Sequence, residues 1–228
     1  MANEHRIDGS SAMTTVFLSN ERNIAPSDFA TIVKAVQMRV SDFATKWNLG
    51  TVTLTQDATI KCDMKIRVTD RFRHTGAKGY HGVDANGIPT AFCSPNASIN
   101  KLFGTYRKAI MSRGKVLYPA KLTSGLTDII QHEAVEMLAD PLIKTLSTPD
   151  ANSHCWLVEP ADPVDGVFDM QVVDGKQVIF CDFVFPNFYQ LGSTGPWDFS
   201  GAVKAPFTIP VKTGYGFWKN LKGLFVKV

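Results

Sequence analysis

Residues 131–141 of the chain read QHEAVEMLADP, a helical stretch in which charged side chains recur at turn spacing. At about 100° per residue, every fourth position drifts by only about 40°, so His132, Glu136 and Asp140 share one face of the predicted helix. Glu133 lies about 60° from Glu136 on the same side. One imidazole and three carboxylates on one stripe are costly unless a positive group lies against them, and a metal ion is such a group.

The apolar stripe of this helix runs beside the acidic stripe and not opposite to it. Its members are Leu126, Ile130, Ala134, Met137 and Leu138. An ordinary solvated charge run would lie opposite the core, so this arrangement is unusual. We expect residues 128, 131 and 135 to lie on the wetter side, and Thr123 or Ser124 to cap the helix. The alternative is a surface amphipathic helix on which acidic residues happen to cluster.

The rest of the chain has the pattern of an α+β protein. Apolar residues at helical spacing predict a helix that begins near Pro26 and ends at Asn48. Alternation and turn residues predict strands at 16–18, 51–55, 64–69, 90–93, 167–170 and 177–180, the last two joined by a hairpin turn at Asp174-Gly175. A short helix is expected within 102–111.

Length and composition predict one large soluble domain. Of 228 residues 44% are hydrophobic and 20% charged, and the net charge of +3 comes from scattered basic residues, which argues against a nucleic-acid partner. We expect no membrane span and no signal peptide. We divide the chain into a flexible N-terminal arm (1–14), an N-terminal half with the acidic helix (15–141) and an irregular, β-rich C-terminal half that completes the site (142–228). The aromatic, basic tail 215–228 is either a docking segment or a final strand or helix that covers the core.

Three further blocks occur in the order found in a known family. They are GYH at 79–81 with GIP at 87–89, EPADPV at 159–164, and CDFVFPNFY at 181–189. With the HExxEMxxDP helix they resemble a family of uncharacterised zincin-like proteins from bacterial and phage genomes. The chain departs from that family at Gln131, where serine is usual, and at Pro160 and Ala161, where small residues or cysteine are common. The resemblance implies a zincin-like fold, in which a substrate peptide lies antiparallel to the edge strand, expected here at 90–93.

The resemblance also implies a metal site. Its helix begins like the metalloprotease motif HExxH, in which two residues one turn apart bind zinc and a third ligand lies downstream. Here the first two ligands would be His132 and Glu136. The third would be Glu159 or Asp162, with His154 as a further candidate.

Further roles in this site fall to four residues. Asp140 would be a direct ligand or an acceptor that orients the metal-binding histidine. Glu133 would be the general base that takes a proton from a water acidified by the metal. Tyr80 or His81 would donate a hydrogen bond to an oxyanion. Zn²⁺ is the first expectation for the metal, and a carboxylate-rich ligand set also suits Ca²⁺ or Mn²⁺.

Three functions remain open on the sequence. The first is a metal-dependent hydrolase that acts on a peptide or protein substrate. The second is a catalytically silent structural protein, such as a phage capsid or tail component with other subunits as partners. The replacement of the second histidine by Glu136 favours this reading, since an anionic ligand leaves the metal a weaker Lewis acid. The third is a binding module in which the metal only braces the fold. The expected location is the cytoplasm or a virion.

Overall fold

A five-stranded mixed sheet with one long helix forms the N-terminal half of the computed structural model, which describes residues 13–70, 78–94, 102–112, 115–118, 121–219 and 224–228. In chain order its elements are β1 (Met13–Asn20), α1 (Pro26–Trp47), β2 (Thr51–Thr55), β3 (Met64–Val68), β4 (Gly79–Val83) and β5 (Pro89–Cys93). The strands lie in the order β2-β1-β3-β5-β4. All neighbours pair in parallel except β4, which pairs antiparallel with β5.

Within the described residues, the edge of this sheet next to the acidic helix is β4. Our prediction that residues 90–93 form the edge strand is wrong, because they belong to β5, which pairs with β3 on one side and β4 on the other. The β4–β5 turn is held by Asp84, whose Oδ1 accepts hydrogen bonds from the backbone N–H groups of Asn86 at 2.8 Å and Ile88 at 3.0 Å. This turn folds the Gly-Tyr-His segment back into the sheet as part of β4.

The predicted helix after β1 is confirmed as α1. Pro26 occupies its first turn, where the missing N–H costs nothing, and Asn48 ends it in the left-handed conformation with φ of 54°. Five members of its predicted apolar stripe are buried, namely Phe29, Ile32, Val36, Val40 and Phe43, and the other two, Val33 and Trp47, are partly buried against the same core. Full burial of each such side chain contributes about 1.5–3 kcal/mol, so α1 is anchored chiefly by packing.

The acidic helix, α2, spans Leu126–Ala139 and begins one residue later than predicted. Gly125 is the N-cap, and its N–H donates a hydrogen bond to the carboxylate of Asp128. Ser124 does not cap the helix, because its hydroxyl donates to Oδ2 of the same carboxylate at 2.7 Å. From within the first turn, the carboxylate of Asp128 therefore accepts a hydrogen bond from a backbone N–H group at the start of the helix.

Both faces of α2 are covered, and our prediction of a wetter side is wrong. Asp128, Gln131 and Val135 are all buried, because a C-terminal strand packs on the side that we expected to face solvent. Oε1 of Gln131 accepts a hydrogen bond from the backbone N–H of Cys181 at 3.0 Å. Gln131 therefore ties α2 to this strand.

The remaining elements are short strands and two 3-10 helices, at Asp162–Val164 and Pro186–Tyr189. Before α2 lie β6 (Thr105–Arg107), β7 (Ile110–Ser112), β8 (Lys115–Tyr118) and β9 (Lys121–Thr123). After α2 follow β10 (Leu146–Pro149), β11 (Cys155–Leu157), β12 (Phe168–Val173), β13 (Lys176–Cys181), β14 (Phe217–Lys219) and β15 (Phe225–Lys227). The helix expected within 102–111 is wrong, since β6 and β7 lie there and pair with β9 and β8.

The C-terminal half forms a hairpin and a four-stranded sheet. β12 and β13 form the predicted hairpin, and its turn residues Asp174 and Gly175 have the positive φ values, 48° and 77°, that a two-residue turn requires. The second sheet has the order β10-β11-β14-β15. The tail therefore supplies final strands, as one of the two alternatives predicted.

One hydrophobic core joins the two predicted halves. Ala161 and Phe183 from the C-terminal half are buried among side chains of α1, α2 and the five-stranded sheet. Met13 and Thr14 belong to β1, and residues 1–12 of the predicted arm lie outside the described residues. No helix of the described residues has both the length and the apolar composition that crossing a membrane requires.

Candidate metal centre

Six ionisable side chains from three parts of the chain meet in one buried cluster. β4 supplies a histidine, α2 a histidine and two glutamates, and the segment between β11 and β12 two acids. The members are His81, His132, Glu133, Glu136, Glu159 and Asp162. β4 packs directly against α2, and the buried Ala161 fixes the acidic segment against the same core. Packing of the sheet and this segment on α2 therefore assembles the cluster.

His132 lies between two carboxylates at equal distances. Its Nε2 is 3.2 Å from Oε1 of Glu136 and 3.2 Å from Oδ1 of Asp162. Atoms that bind a tetrahedral zinc ion, each about 2.0–2.2 Å from it, lie about 3.3 Å from one another. The four-residue helical spacing sets the first pair, and a short 3-10 helix at Asp162–Val164 presents the third atom. These three side chains, which we call the first ligand set, already have the spacing of a metal site.

A second ligand set lies around His81. Its Nε2 is 3.8 Å from Oε2 of Glu159, and its Nδ1 is 3.8 Å from Oε2 of Glu136 and 3.6 Å from Oε2 of Glu133. One possible ligand atom from each of His81, Glu136 and Glu159 lies within 4.8 Å of the other two. Glu136 therefore belongs to both sets.

Three buried atoms of the cluster have no hydrogen-bond partner among the described residues. They are Nε2 of His81, Oε1 of Glu136 and Oε2 of Glu159. Their side chains are only 5%, 5% and 8% exposed. An unpaired buried polar atom costs about 1–3 kcal/mol. Oε1 of Glu136 still has Nε2 of His132 at 3.2 Å, so the atoms that a bound group would chiefly satisfy are those of His81 and Glu159. A divalent cation fits, because carboxylate oxygens and an unprotonated imidazole nitrogen are its ordinary ligands.

Burial and mutual repulsion shift the pKa values of the acids in the cluster. Burial, and then repulsion by Asp162, raise the pKa of Glu136 well above its ordinary value, although His132 opposes the shift. Burial and the nearby Glu136 raise the pKa of Glu159 to about 10. These carboxylates cannot all be ionised together unless bound cations neutralise them.

Both histidines of the cluster have raised pKa values. Burial acts to lower the pKa of His132, but Glu136 and Asp162 outweigh it and raise that pKa well above its ordinary value. Burial also opposes the shift at His81, and Glu133 and Glu159 again outweigh it. The cluster therefore attracts positive charge, which protons or a metal ion can supply.

Glu133 fits into its place only because β4 begins with a glycine. A Cβ atom added to Gly79 would lie 2.6 Å from Cγ and 2.8 Å from Cδ of Glu133, closer than Cβ contacts in real proteins. The glutamate is buried, with Oε2 turned toward His81. The first residue of the GYH block therefore makes room for the predicted general base.

Replacing Gly79 with alanine should lower the free energy of unfolding by about 1–3 kcal/mol, because the added methyl group must displace a packed side chain. Gly82→Ala on the same strand is the matched control, since nothing lies within 4 Å of a Cβ added there. Urea unfolding of both variants measures the difference. Equal stabilities would contradict the packing of Glu133 against β4.

Two cavities lead to the cluster. The larger, 330 Å³, exposes both ligand sets and also has apolar walls that include Leu157 and Phe217. The smaller, 290 Å³, extends toward Asp128 and Cys181. His132, Glu133, Gly79 and Tyr215 line both. The candidate base and one ligand are therefore accessible from two sides.

Tyr215 is a site residue that our sequence analysis missed. Its side chain hydrogen-bonds to Asp162, and burial together with that acid raises its pKa. Its backbone N–H donates to the carbonyl of Asp162 at 2.9 Å. The flanking glycines permit this approach, because a Cβ at Gly214 would meet the carbonyl of Pro163 and one at Gly216 the ring of Trp156. A tyrosine between two glycines was the available sequence signal.

Tyr80 and Asp140, both predicted as site residues, belong to neither ligand set. The ring of Tyr80 stacks on Phe92 with centroids 4.9 Å apart, although the residue also lines the larger cavity. The carboxylate of Asp140 accepts hydrogen bonds from the backbone N–H groups of Lys144 at 3.0 Å and Thr145 at 2.8 Å. It holds the turn after α2 and is in neither set.

His154, the further candidate for a third ligand, also lies elsewhere. Its ring stacks on Trp218 with centroids 3.8 Å apart, and Oδ2 of Asp150 is 3.6 Å from its Nδ1. The structure therefore brings together the predicted ligands His132, Glu136 and Asp162. The predicted ligand Glu159 lies beside His81, which we had predicted as a hydrogen-bond donor.

Comparisons with family models, characterised proteins and solved structures find no match to this chain. The zincin-like resemblance and the zincin-like fold therefore stay predictions, and the α+β class is what the structure bears out.

Proposed function

We propose that this protein binds a divalent metal ion in the first ligand set and hydrolyses peptide bonds with Glu133 as general base. The observation that carries the proposal is the position of His132 Nε2, 3.2 Å from one oxygen of Glu136 and 3.2 Å from one oxygen of Asp162. An imidazole and two carboxylates suit Zn²⁺ and also Mn²⁺. When bound, the ion would supply Lewis acidity for a water and a carbonyl group.

The position of Glu133 supports its role as the base. It directly follows the proposed ligand His132 on α2, is buried, and lines both cavities. A carboxylate there can accept a proton from a water in the cavity and return it to the leaving amine. Gly79 leaves the space that this side chain needs, so the base is held in one place.

Tyr215 and His81 are the candidates for stabilising the developing oxyanion. Both line the larger cavity beside Glu133, and each carries a hydrogen-bond donor. The O–H group of Tyr215 donates to Asp162, and would turn to the oxyanion when the carboxylate of Asp162 binds the ion. This assignment keeps the predicted His81 and adds the tyrosine from the C-terminal half.

The edge strand supports a peptide as the substrate. β4 is the outermost strand of the five-stranded sheet in the described part of the chain, and Gly79, Tyr80 and His81 line the larger cavity. An extended peptide can add to such an edge through main-chain hydrogen bonds. This arrangement would place the peptide bonds of the substrate along the cavity. The apolar wall at Phe217 and Phe225 favours a substrate with an apolar side chain.

A catalytically silent structural role is the second candidate, and the composition of the first ligand set favours it. Two of its three side chains are anionic, so a bound divalent ion keeps little net positive charge and acidifies a water less than in a site with more histidines. A zincin-like scaffold within a phage virion would need the metal only to neutralise the buried acids. The loss of hydrolysis in the Glu133 variant described in the Discussion separates the two functions.

Metal content tests the proposed site. We expect purified protein, dialysed against Zn²⁺ and then against buffer, to retain zinc by elemental mass spectrometry. His132→Ala should lose one ion per chain, because it removes the only nitrogen of the first ligand set. His154→Ala is the matched control, since that histidine stacks on Trp218 and contacts neither set. Equal zinc in the His132→Ala variant and the control would refute the site.

A further inference from the structure

The two oxygens of Glu136 face different histidines. Oε1 is 3.2 Å from Nε2 of His132, and Oε2 is 3.8 Å from Nδ1 of His81. The side chain is only 5% exposed, so both oxygens are removed from solvent. A carboxylate in this position can give one oxygen to each of two cations, as bridging carboxylates do in two-metal sites.

The second ligand set has its own unsatisfied atoms. Nε2 of His81 and Oε2 of Glu159 lie 3.8 Å apart, are buried, and have no hydrogen-bond partner among the described residues. An ion in the first ligand set leaves these two atoms unpaired, because that set takes its nitrogen from His132. Their separation of 3.8 Å is wider than the spacing of 3.2 Å in the first set.

If all its carboxylates are ionised, the cluster has enough negative charge for two divalent cations. Four carboxylates meet here, those of Glu133, Glu136, Glu159 and Asp162. No lysine or arginine is among the described residues that line the larger cavity. With neutral histidines as ligands, one divalent ion leaves two negative charges in a buried site, whereas two ions balance all four.

We infer that one ring nitrogen of His81, with one oxygen of Glu159 and the second oxygen of Glu136, holds a second divalent cation, so that Glu136 bridges a two-metal centre; these three ligand atoms lie within 4.8 Å of one another. His81 is then a ligand, and Tyr215 remains as the donor to the oxyanion. This inference rests on the proposed function, because the first ion occupies the first ligand set. A pair of cations about 3.5–4 Å apart can hold both the attacking and the leaving oxygen of a hydrolytic reaction. It also explains why a glutamate stands where the metalloprotease motif has a histidine, since an imidazole nitrogen cannot bridge in this way.

Metal stoichiometry of the full chain tests the second site. Apoprotein prepared with a chelator is loaded separately with Zn²⁺ and with Mn²⁺, and bound metal per chain is measured by elemental mass spectrometry after gel filtration. We expect two ions in the wild type and in the His154→Ala control. His81→Ala and Glu159→Gln should each retain one, and circular dichroism verifies that each variant is folded.

The outcomes separate the two proposals. A wild type with one ion that persists in His81→Ala and Glu159→Gln but not in His132→Ala overturns the second site and leaves the proposed function intact. A wild type that binds no ion with either metal overturns both. With Mn²⁺, a spin-coupled electron paramagnetic resonance spectrum that becomes an isolated-ion spectrum in Glu159→Gln supports the bridge, and isolated-ion spectra in both overturn it.

Discussion

Replacing Glu133 with glutamine should lower the rate of peptide hydrolysis by about 10²–10⁴-fold, because the amide cannot accept the proton of the attacking water. Glutamine has nearly the same size, so it still fills the space beside Gly79 and keeps the helix packed. Metal content should therefore stay at the wild-type value. The measurement is the release of fragments from a fluorescently labelled unfolded protein, with zinc per chain determined on the same samples.

Glu21→Gln serves as the control for this variant. Glu21 pairs with Arg67 at the surface and contacts no member of the cluster, so hydrolysis should be unchanged. Hydrolysis that survives in the Glu133 variant would remove this residue from the mechanism. A wild type that binds metal and releases no fragments under any condition would favour the silent structural protein.

Removing the metal should lower the melting temperature by roughly 10 °C. A ligand at about a thousand times its dissociation constant stabilises the native state by about 4 kcal/mol, and each kcal/mol corresponds to about 2–4 °C for a chain of this size. Differential scanning calorimetry with and without a chelator measures the shift. The His132→Ala variant should respond less, because it has already lost one ion.

The effect of metal removal should increase with pH. In the absence of metal, the pKa of Glu159 is about 10 in the folded state against 4.5 for the ordinary side chain, so the folded state binds the proton more tightly than the unfolded state. This contribution to stability is full below about pH 4.5 and is lost as pH rises toward 10. The metal-loaded protein should not lose stability in this way as the pH rises. A difference between the two forms that stays constant from pH 6 to pH 9 would contradict the assignment.

Features of the fold that depend on nearby residues could be predicted from the sequence. The apolar spacing from Phe29 to Phe43 fixes α1 without reference to the rest of the chain. The Asp174-Gly175 pair fixes a two-residue turn because both residues tolerate positive φ. The alignment of His132 with Glu136 follows from helix geometry alone. These local relationships are the ones that the structure reproduces.

Features that depend on how distant segments meet could not be predicted. Periodicity shows one apolar stripe on α2, but a second covered face arises only because β13 packs there, with Gln131 bonded to the strand backbone. The sequence offered Glu159 and Asp162 as equivalent candidates. Only the tertiary arrangement puts Asp162 beside His132 and Glu159 beside His81.

The position of Tyr215 also could not be predicted from the sequence. Tyr215 comes 53 positions after Asp162 in the sequence, and its approach depends on the backbone of Pro163 and the ring of Trp156 lying against two glycines. No helical or strand period connects these positions. A search for tyrosines flanked by glycines would have found Tyr215, but it would not have assigned this residue to the site.

The wide spread of the cluster along the chain has a consequence for biosynthesis. A nascent polypeptide that has reached the end of α2 carries His81, His132 and Glu133 but neither Glu159 nor Asp162, and Tyr215 emerges later still. The growing chain therefore has no complete ligand set while much of it is unfolded and open to cleavage. The proposed hydrolytic activity would begin only after the chain has folded past Asp162.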